Sequence, residues 1–308
     1  MRVAGIRVVG APVEMIDVAD PRPLEPDEVL VEVKAAGVGN WNEFVRTGGW
    51  DVGGVPPMAL GVEAAGIVLE VGEAIEEWTS GDAVMTHPLP LRHQGTWAPQ
   101  LIAPGGLLAP KPENVSWDAA SAFPVPALTA EQVVAEALDI QAGEPVLVNG
   151  ASGVTGRLIV ALAALRGAEV IATASPSSRV RVAQLGARHI VDYHDADWTN
   201  QVRAITGQRG VAAAANAAPG GAATALRAVA DGGRLATITG DPPEQERGVT
   251  IANFYVRPDG QQLRALAKPF GDGRLDVVVA STYRLDSAAQ ALAEATGGHA
   301  AGAIALVL

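Results

Sequence analysis

The chain has 308 residues, 22 Lys and Arg against 34 Asp and Glu for a net charge of −12, 48% hydrophobic residues and no cysteine. That length accommodates about two domains, and the hydrophobic content suffices for buried cores, which excludes a disordered chain. Zero cysteines exclude disulfides, thiolate zinc sites, Fe–S clusters and a cysteine nucleophile, and the acid excess argues against a nucleic-acid partner, whose phosphates need clustered Lys and Arg.

Arg2 and Arg7 are followed by Pro12, Glu14 and Asp17, which interrupt any apolar leader. The longest uncharged stretch, 210–226, holds Asn216, Pro219 and paired glycines, unlike a membrane span of ~20 apolar residues. A soluble, cytoplasmic protein without a membrane partner is expected. Up to about residue 110 the chain reads as short strands between turns: 29–35 after a Pro/Asp/Glu-rich connector, 66–72 closed by glycines, and 82–86 after Ser80-Gly81. The texture then changes. Ser116 is placed to cap a helix from Trp117, and a helical stretch opens at Thr129 and runs to Leu138. Strand and helix alternate from there: strand 146–148, helix 154–166, strand 169–174, helix 179–185, strand 190–191, helices 198–206 and 222–230, strand 234–239. This order predicts βαβ units and a parallel sheet buried on both faces. A helix over 261–270, a strand over 275–279 and a strand over 303–308 close the chain.

The strongest chemical signal is Val146-Leu147-Val148-Asn149-Gly150-Ala151-Ser152-Gly153-Val154-Thr155-Gly156. A buried strand enters a glycine turn that opens a helix, whose free N–H groups and dipole suit an anion. Gly153 lets the backbone approach a pyrophosphate and Gly156 lets the helix pack close; Ala151 stands where the first glycine of G-x-G-x-x-G belongs. The alternative is a helix-entry turn without a ligand. An NAD site wants an acid about 20 residues on, at the end of the second strand. Here that strand ends Thr173-Ala174-Ser175, and no acid occurs between Val170 and Val191. Ser175, Ser177, Ser178 and Arg179 offer hydroxyls and a cation for a 2′-phosphate, so NADP(H) is favoured over NAD(H); alternatively the arginines of this interval, Arg179, Arg181 and Arg188, are ordinary exposed helix residues.

These residues, with several blocks in order, carry a resemblance. The blocks are Ala35-Ala36-Gly37-Val38-Gly39-Asn40-Trp41-Asn42, Leu60-Gly61-Val62-Glu63-Ala64-Ala65-Gly66, Gly81-Asp82-Ala83-Val84, Gly95-Thr96-Trp97-Ala98 and Phe123-Pro124-Val125-Pro126-Ala127-Leu128-Thr129-Ala130. The glycine turn follows, then Leu185-Gly186-Ala187, Val191-Asp192-Tyr193, Gly232-Gly233-Arg234-Leu235 and Gly298-His299. The chain resembles the zinc-independent branch of the medium-chain dehydrogenase/reductase superfamily, the quinone oxidoreductase-like proteins. The resemblance implies an α/β fold: a GroES-like β-rich domain over 1–117, completed by 257–308, and a Rossmann doubly wound parallel-sheet domain over 118–256 that binds NADP(H). The cleft between them would hold cofactor and substrate. It implies further that Thr129 lies near the nicotinamide, that Ala151, Ser152, Gly153, Val154 and Gly156 form the pyrophosphate turn, and that Ser175, Arg179 and Tyr193 surround the 2′-phosphate. Thr239, Gly240, Phe254 and Tyr255 would pass the carboxamide. A homodimer is implied too, through edge strands near 234–239 and 254–256. Several positions depart from the family pattern: Gly39 and Asn42 in the N-x-x-D block, Ala303 for the lysine of a G-K pair, and the missing Asp after Gly210-Val211, where the chain reads Ala212 to Ala215 and Asn216.

Without cysteine the Cys/His zinc site of the alcohol dehydrogenases is lost, and His87, His93 and Glu63 lack the spacing of a replacement, so no metal is expected. Alcohol oxidation is then poorly served. Reduction of a quinone or an α,β-unsaturated carbonyl compound asks less, because conjugation in the substrate delocalises the charge as hydride arrives. Asn42, Tyr255, Arg92 and His93 are the candidate donors to the enolate oxygen, Asn42 preferred, with Asn42 alternatively a turn residue and Tyr255 alternatively core packing. Trp41, Trp50 and Trp97 are candidate walls for a flat substrate or else core. The small-molecule substrate remains open between a quinone or enone and an enoyl intermediate of biosynthesis. A catalytically weak NADPH-binding protein is the third reading.

Overall fold

The computed structural model describes residues 1–298 and 301–308; His299 of the Gly298-His299 block lies outside the described residues. In chain order the elements are β1 (Arg2–Ile6), β2 (Glu14–Asp17), β3 (Glu28–Val38), α1 (Trp41–Thr47), β4 (Met58–Ala59), β5 (Ala64–Val71), β6 (Ala83–Thr86), β7 (Gln100–Pro104), β8 (Leu108–Pro110) and α2 (Trp117–Ser121). Next come α3 (Pro124–Gln132), a π-helical turn (Val133–Ala137), β9 (Pro145–Asn149), α4 (Val154–Leu165), β10 (Glu169–Thr173), α5 (Arg179–Gln184), β11 (His189–Val191) and α6 (Trp198–Ile205). The remainder is β12 (Val211–Asn216), α7 (Ala222–Leu226), β13 (Val229–Thr237), β14 (Thr250–Asn253), α8 (Gly260–Gly271), β15 (Val279–Arg284), α9 (Ala288–Gly297) and β16 (Ala303–Val307). No helix among the described residues is long and apolar enough to cross a membrane.

Two compact units result. The first, Met1–Val125 with Arg257–Leu308, is β-rich. Its larger sheet runs β15-β16-β3-β5-β6-β8, with β7 also paired to β3. The last strand, β16, lies antiparallel to β3, setting Ile304 against Val38 and Val307 against Ala35. Tail and head of the chain therefore share one core, which Val29, Val31, Ala305 and Leu306 fill from both sides. Phe123 and Phe270 stack at 3.8 Å within this unit, fastening α8 beneath the sheet.

The second unit, Pro126–Val256, holds a sheet of order β11-β10-β9-β12-β13-β14, every pair parallel. Parallel strands are covered on both faces by their crossover helices, so they need apolar side chains throughout. Val146, Leu147 and Val148 are accordingly sealed, as are Leu158 to Ala163 of α4. The strand order reverses at β9, and in open sheets of this kind the crevice at the carboxyl ends beside that strand is where ligands bind.

The structure is an α/β fold as the alternation of strand and helix predicts, with differences that have physical causes. The helix expected over 129–138 begins five positions earlier, at Pro124, because proline is tolerated in a first helical turn where its missing N–H has no partner to lose. It ends in a π turn. The strand expected at 275–279 is displaced to Val279–Arg284, where Thr282 and Tyr283 favour extended backbone and pair beside β16. Sequence reading passed over β12, since its Ala run has weak strand propensity; its position between β9 and β13 decides it. The expected edge near 234–239 is corrected as well: β13 lies between β12 and β14, and the edges of this sheet are β14 and β11.

Candidate active site

The glycine turn sits at the carboxyl end of β9, where the order of strands reverses. Its three glycines are there for different reasons. Gly150 has φ +84°, and a Cβ on it would meet the Ala217 backbone at 2.8 Å. Gly156 would put a Cβ 2.1 Å from the Gly150 carbonyl oxygen, so the close entry of α4 requires glycine. Gly153 has no such demand on it: the nearest atom to its Cβ position is the Gly150 oxygen at 3.6 Å. The fold explains two glycines; the third leaves a space beside the start of α4. That twelve-residue helix has no side-chain cap and no acid in its first turn, so its first amides remain for an anion. Ala151 is buried beneath the turn, while Ser152 and Gly153 are exposed and Val154 is half-buried. The residues present fit a dinucleotide pyrophosphate.

At the end of β10, the Ser175 hydroxyl lies 2.9 Å from that of Ser177 and 3.3 Å from that of Ser178. Arg179 opens α5 beside them, exposed, and donates one hydrogen bond to the Ile190 carbonyl at 2.8 Å. Tyr193, 47% exposed, has its ring 4.2 Å from His194. The structure adds one acid that the sequence interval stopped short of. The Asp192 carboxylate takes the His194 amide and ring, and these bonds with the nearby Arg179 charge hold it below the usual range. Thr129 is buried in α3, Thr239 is half-buried, and Gly240 is exposed with φ +72°. Phe254 is half-buried with its amide on the Thr237 carbonyl at 2.8 Å. Tyr255 is 74% exposed, so it is no core residue; Asn253 Nδ2 donates to its hydroxyl at 3.2 Å.

In the first unit α1 follows β3 directly. Asn42 is fully buried, and its Oδ1 accepts the Gly39 amide at 2.9 Å while its Nδ2 has no protein partner. Trp41 and Trp50 are half-buried, and the Trp41 ring packs where a Gly39 side chain would stand. Trp97 is fully enclosed, its indole N–H on the Gly37 carbonyl at 3.1 Å, and serves the core from behind that turn. Two buried titratable groups stand across β5 and β6. His87 Nδ1 lies 2.6 Å from the Val62 carbonyl oxygen, and burial drives its pKa down to about 4, leaving a neutral ring that donates there. Glu63 is 1% exposed; burial lifts its pKa to about 8, although Val125 N–H donates to its Oε2 at 2.8 Å. In the sequence Glu63 stands out only as part of a family block and a possible metal ligand, and His87 only as a possible ligand at the start of a Pro-rich loop. Their burial on the strand ends appears only in the tertiary structure.

Residues 25–113 match the alcohol dehydrogenase GroES-like domain and residues 185–306 the zinc-binding dehydrogenase family. The chain is 31% identical over 304 residues to erythronolide synthase EryA2 of Saccharopolyspora erythraea, which covers 92% of this chain and only 8% of the synthase. It is 26% identical to the quinone oxidoreductase of Sus scrofa, over 89% of this chain and 87% of that protein. A solved NAD-dependent alcohol dehydrogenase superposes with a TM-score of 0.87 at 28% identity, covering all of both chains. Zinc, named by one of these families, does not suit the donors present: there is no thiolate, and among the described residues no three His, Asp or Glu side chains converge. With its GroES-like and dehydrogenase segments in one chain and full-length likeness to a solved dehydrogenase, the protein belongs to the medium-chain dehydrogenase/reductase superfamily.

Proposed function

We propose that the protein is an NADPH-dependent, zinc-independent reductase of quinones or α,β-unsaturated carbonyl compounds. The observation that carries this reading is a dehydrogenase fold whose buried donors near β3, β5 and β6 are neutral and cysteine-free. Without thiolates to hold a Lewis acid against an alkoxide, such a site suits an acceptor that delocalises its own charge. A bound nicotinamide dinucleotide supplies the hydride. The chain's residues bind and orient: Ala151, Ser152, Gly153, Val154 and Gly156 take the pyrophosphate, while Ser175, Arg179 and Tyr193 take the 2′-phosphate. Thr129, Thr239, Gly240, Phe254 and Tyr255 attend the nicotinamide end. Trp41 and Trp50 offer flat apolar walls. Asn42, pinned by Gly39 at one end, keeps a pre-oriented N–H for the oxygen that gains charge, with Tyr255 as the second donor.

An enoyl reductase acting on a biosynthetic intermediate is the second reading, favoured by the match to an erythronolide synthase over 92% of this chain. NADPH consumption with quinones, enones and enoyl thioesters separates the two. Turnover on the first two classes supports the proposal, and turnover on thioesters alone supports the alternative. Tight NADPH binding without turnover on any of them would identify a binder. In the same assay Arg179→Glu should weaken NADPH at least tenfold more than NADH; equal loss sinks the 2′-phosphate assignment. We also infer a homodimer, with β14 as an edge available for it.

A further inference from the structure

At one level of the parallel sheet, apolar residues give way to a polar row. Register places Asn149 of β9 beside Asn216 of β12, and Asn216 beside Thr237 of β13. Thr173 of β10 follows Ala172, which pairs with Val148, and so stands next to Asn149 on the other side. All four side chains are at least 95% buried. Their hydrogen bonds form one continuous path. The Gly150 amide donates to Thr173 Oγ1 at 3.0 Å, and that hydroxyl donates to Asn149 Oδ1 at 2.8 Å. Asn149 Nδ2 donates to Asn216 Oδ1 at 2.8 Å, and Asn216 Nδ2 reaches the Thr237 and Thr239 hydroxyls at 3.1 and 3.0 Å. Both hydroxyls donate to Asp241 Oδ1 at 2.6 Å, and Ala222 N–H donates to Asp241 Oδ2 at 3.1 Å.

We propose that Thr173, Asn149 and Asn216, anchored at Asp241, are a positioning relay that holds the Gly150 turn in its dinucleotide-binding shape. The proposal rests on the reading of that turn as a dinucleotide site. Packing alone does not account for the row. Neighbouring levels of the same strands are Val, Ala and Leu, fully buried, and apolar residues of similar volume would fill this level without the desolvation that buried amides and hydroxyls bring. The path has a direction as well: it starts at a carboxylate and ends on the backbone N–H of a glycine with φ +84°, the residue that sets the shape of the turn. A Cβ on Gly221 would lie 2.6 Å from Asn149 Nδ2 and 2.8 Å from Asn216 Oδ1, so the loop after β12 closes down onto the same amide pair. At Asp241, burial by itself would favour the neutral acid, yet the two threonine hydroxyls and the Ala222 amide outweigh it and keep the group ionised. The relay thus joins the loops after β9, β12 and β13.

Thr173→Val keeps the shape of the side chain and removes the acceptor for Gly150. NADPH titrated into the full chain should bind about tenfold more weakly, because the Gly150 amide loses its acceptor and Asn149 Oδ1 its donor. Thr173→Ser should bind within about twofold of the parent, since the hydroxyl is restored. Amide exchange at Gly150 should quicken in the valine variant and not in the serine one. Substrate KM should stay put while the KM for NADPH rises. NADPH affinity unchanged in Thr173→Val, with only a lowered melting temperature, overturns the relay. If that variant fails to fold, Asp241→Asn decides: weakened NADPH binding supports the relay and unchanged binding refutes it. Failure of the parent chain to bind any nicotinamide dinucleotide refutes the site reading itself and the relay with it, an outcome distinct from the others.

Discussion

Glu63 and His87 are both sealed from water and both neutral near pH 7, the acid because burial raises its pKa to about 8 and the imidazole because burial lowers its own to about 4. Their effects on stability have opposite signs. Between its ordinary value of 4.5 and about 8, Glu63 holds a proton in the folded chain that the unfolded chain has released, so stability falls as pH rises through that window. His87 is the reverse: below 6.5 the unfolded ring takes up a proton that the folded ring refuses down to about 4, so stability falls as pH drops. From pH 4.5 to 6.5 the two slopes oppose each other, and from 6.5 to 8 Glu63 acts alone. Over that upper interval Glu63→Gln, which cannot ionise but can still accept from Val125 N–H, should gain about 2 kcal/mol relative to the parent. Denaturant unfolding at pH 6.5 and pH 8 checks this, and parallel profiles for the two proteins contradict it. No sequence pattern marks either residue for this behaviour. Val62 and His87 are 25 positions apart, as the bond between them records, and burial is a property of the sheet around them.

At the scale of elements, the β9–α4 unit was the most legible part of the chain. A Val-Leu-Val strand, three glycines and a long apolar helix form a pattern of adjacent residues, and local physics suffices to read it. The roles within it separate only in space. Gly156→Ala puts a methyl group 2.1 Å from a backbone oxygen, so both melting temperature and dinucleotide affinity should fall. Gly153→Ala meets nothing in the protein closer than 3.6 Å and should change stability by no more than about 0.5 kcal/mol. Its methyl group would nevertheless occupy the space assigned to the pyrophosphate, and NADPH affinity should drop at least tenfold. Thermal melts alongside fluorescence titration distinguish the two; a Gly153→Ala protein that binds NADPH like the parent refutes the assignment of that space. Other elements were hidden. β12 is a run of four alanines, β1 and β2 are short, and α1 is seven residues long, so none displays a period that a linear reading can recognise.

For the whole molecule, β14 leaves one edge of the six-stranded sheet unpaired, and unpaired edges are natural sites of association. Sedimentation should find a species of twice the 31.5 kDa chain mass, and Ile251→Pro, by removing a ladder donor, should shift it toward monomer. A chain that sediments at its own mass at micromolar concentration contradicts the dimer. The sequence by itself determined the alternation that makes a parallel sheet, the glycine turn, the absence of thiolate ligands and the family resemblance, because each depends on residue types or on neighbours along the chain. Tertiary structure decided what depends on proximity: which strands are the edges, that β16 completes the sheet begun by β3, and that Asp192 comes near Arg179. It also decided that Asn149, Thr173, Asn216 and Thr237, spread over 88 positions, share one buried row. Hydrogen bonds and desolvation act over a few ångströms, and only folding brings distant residues within that reach.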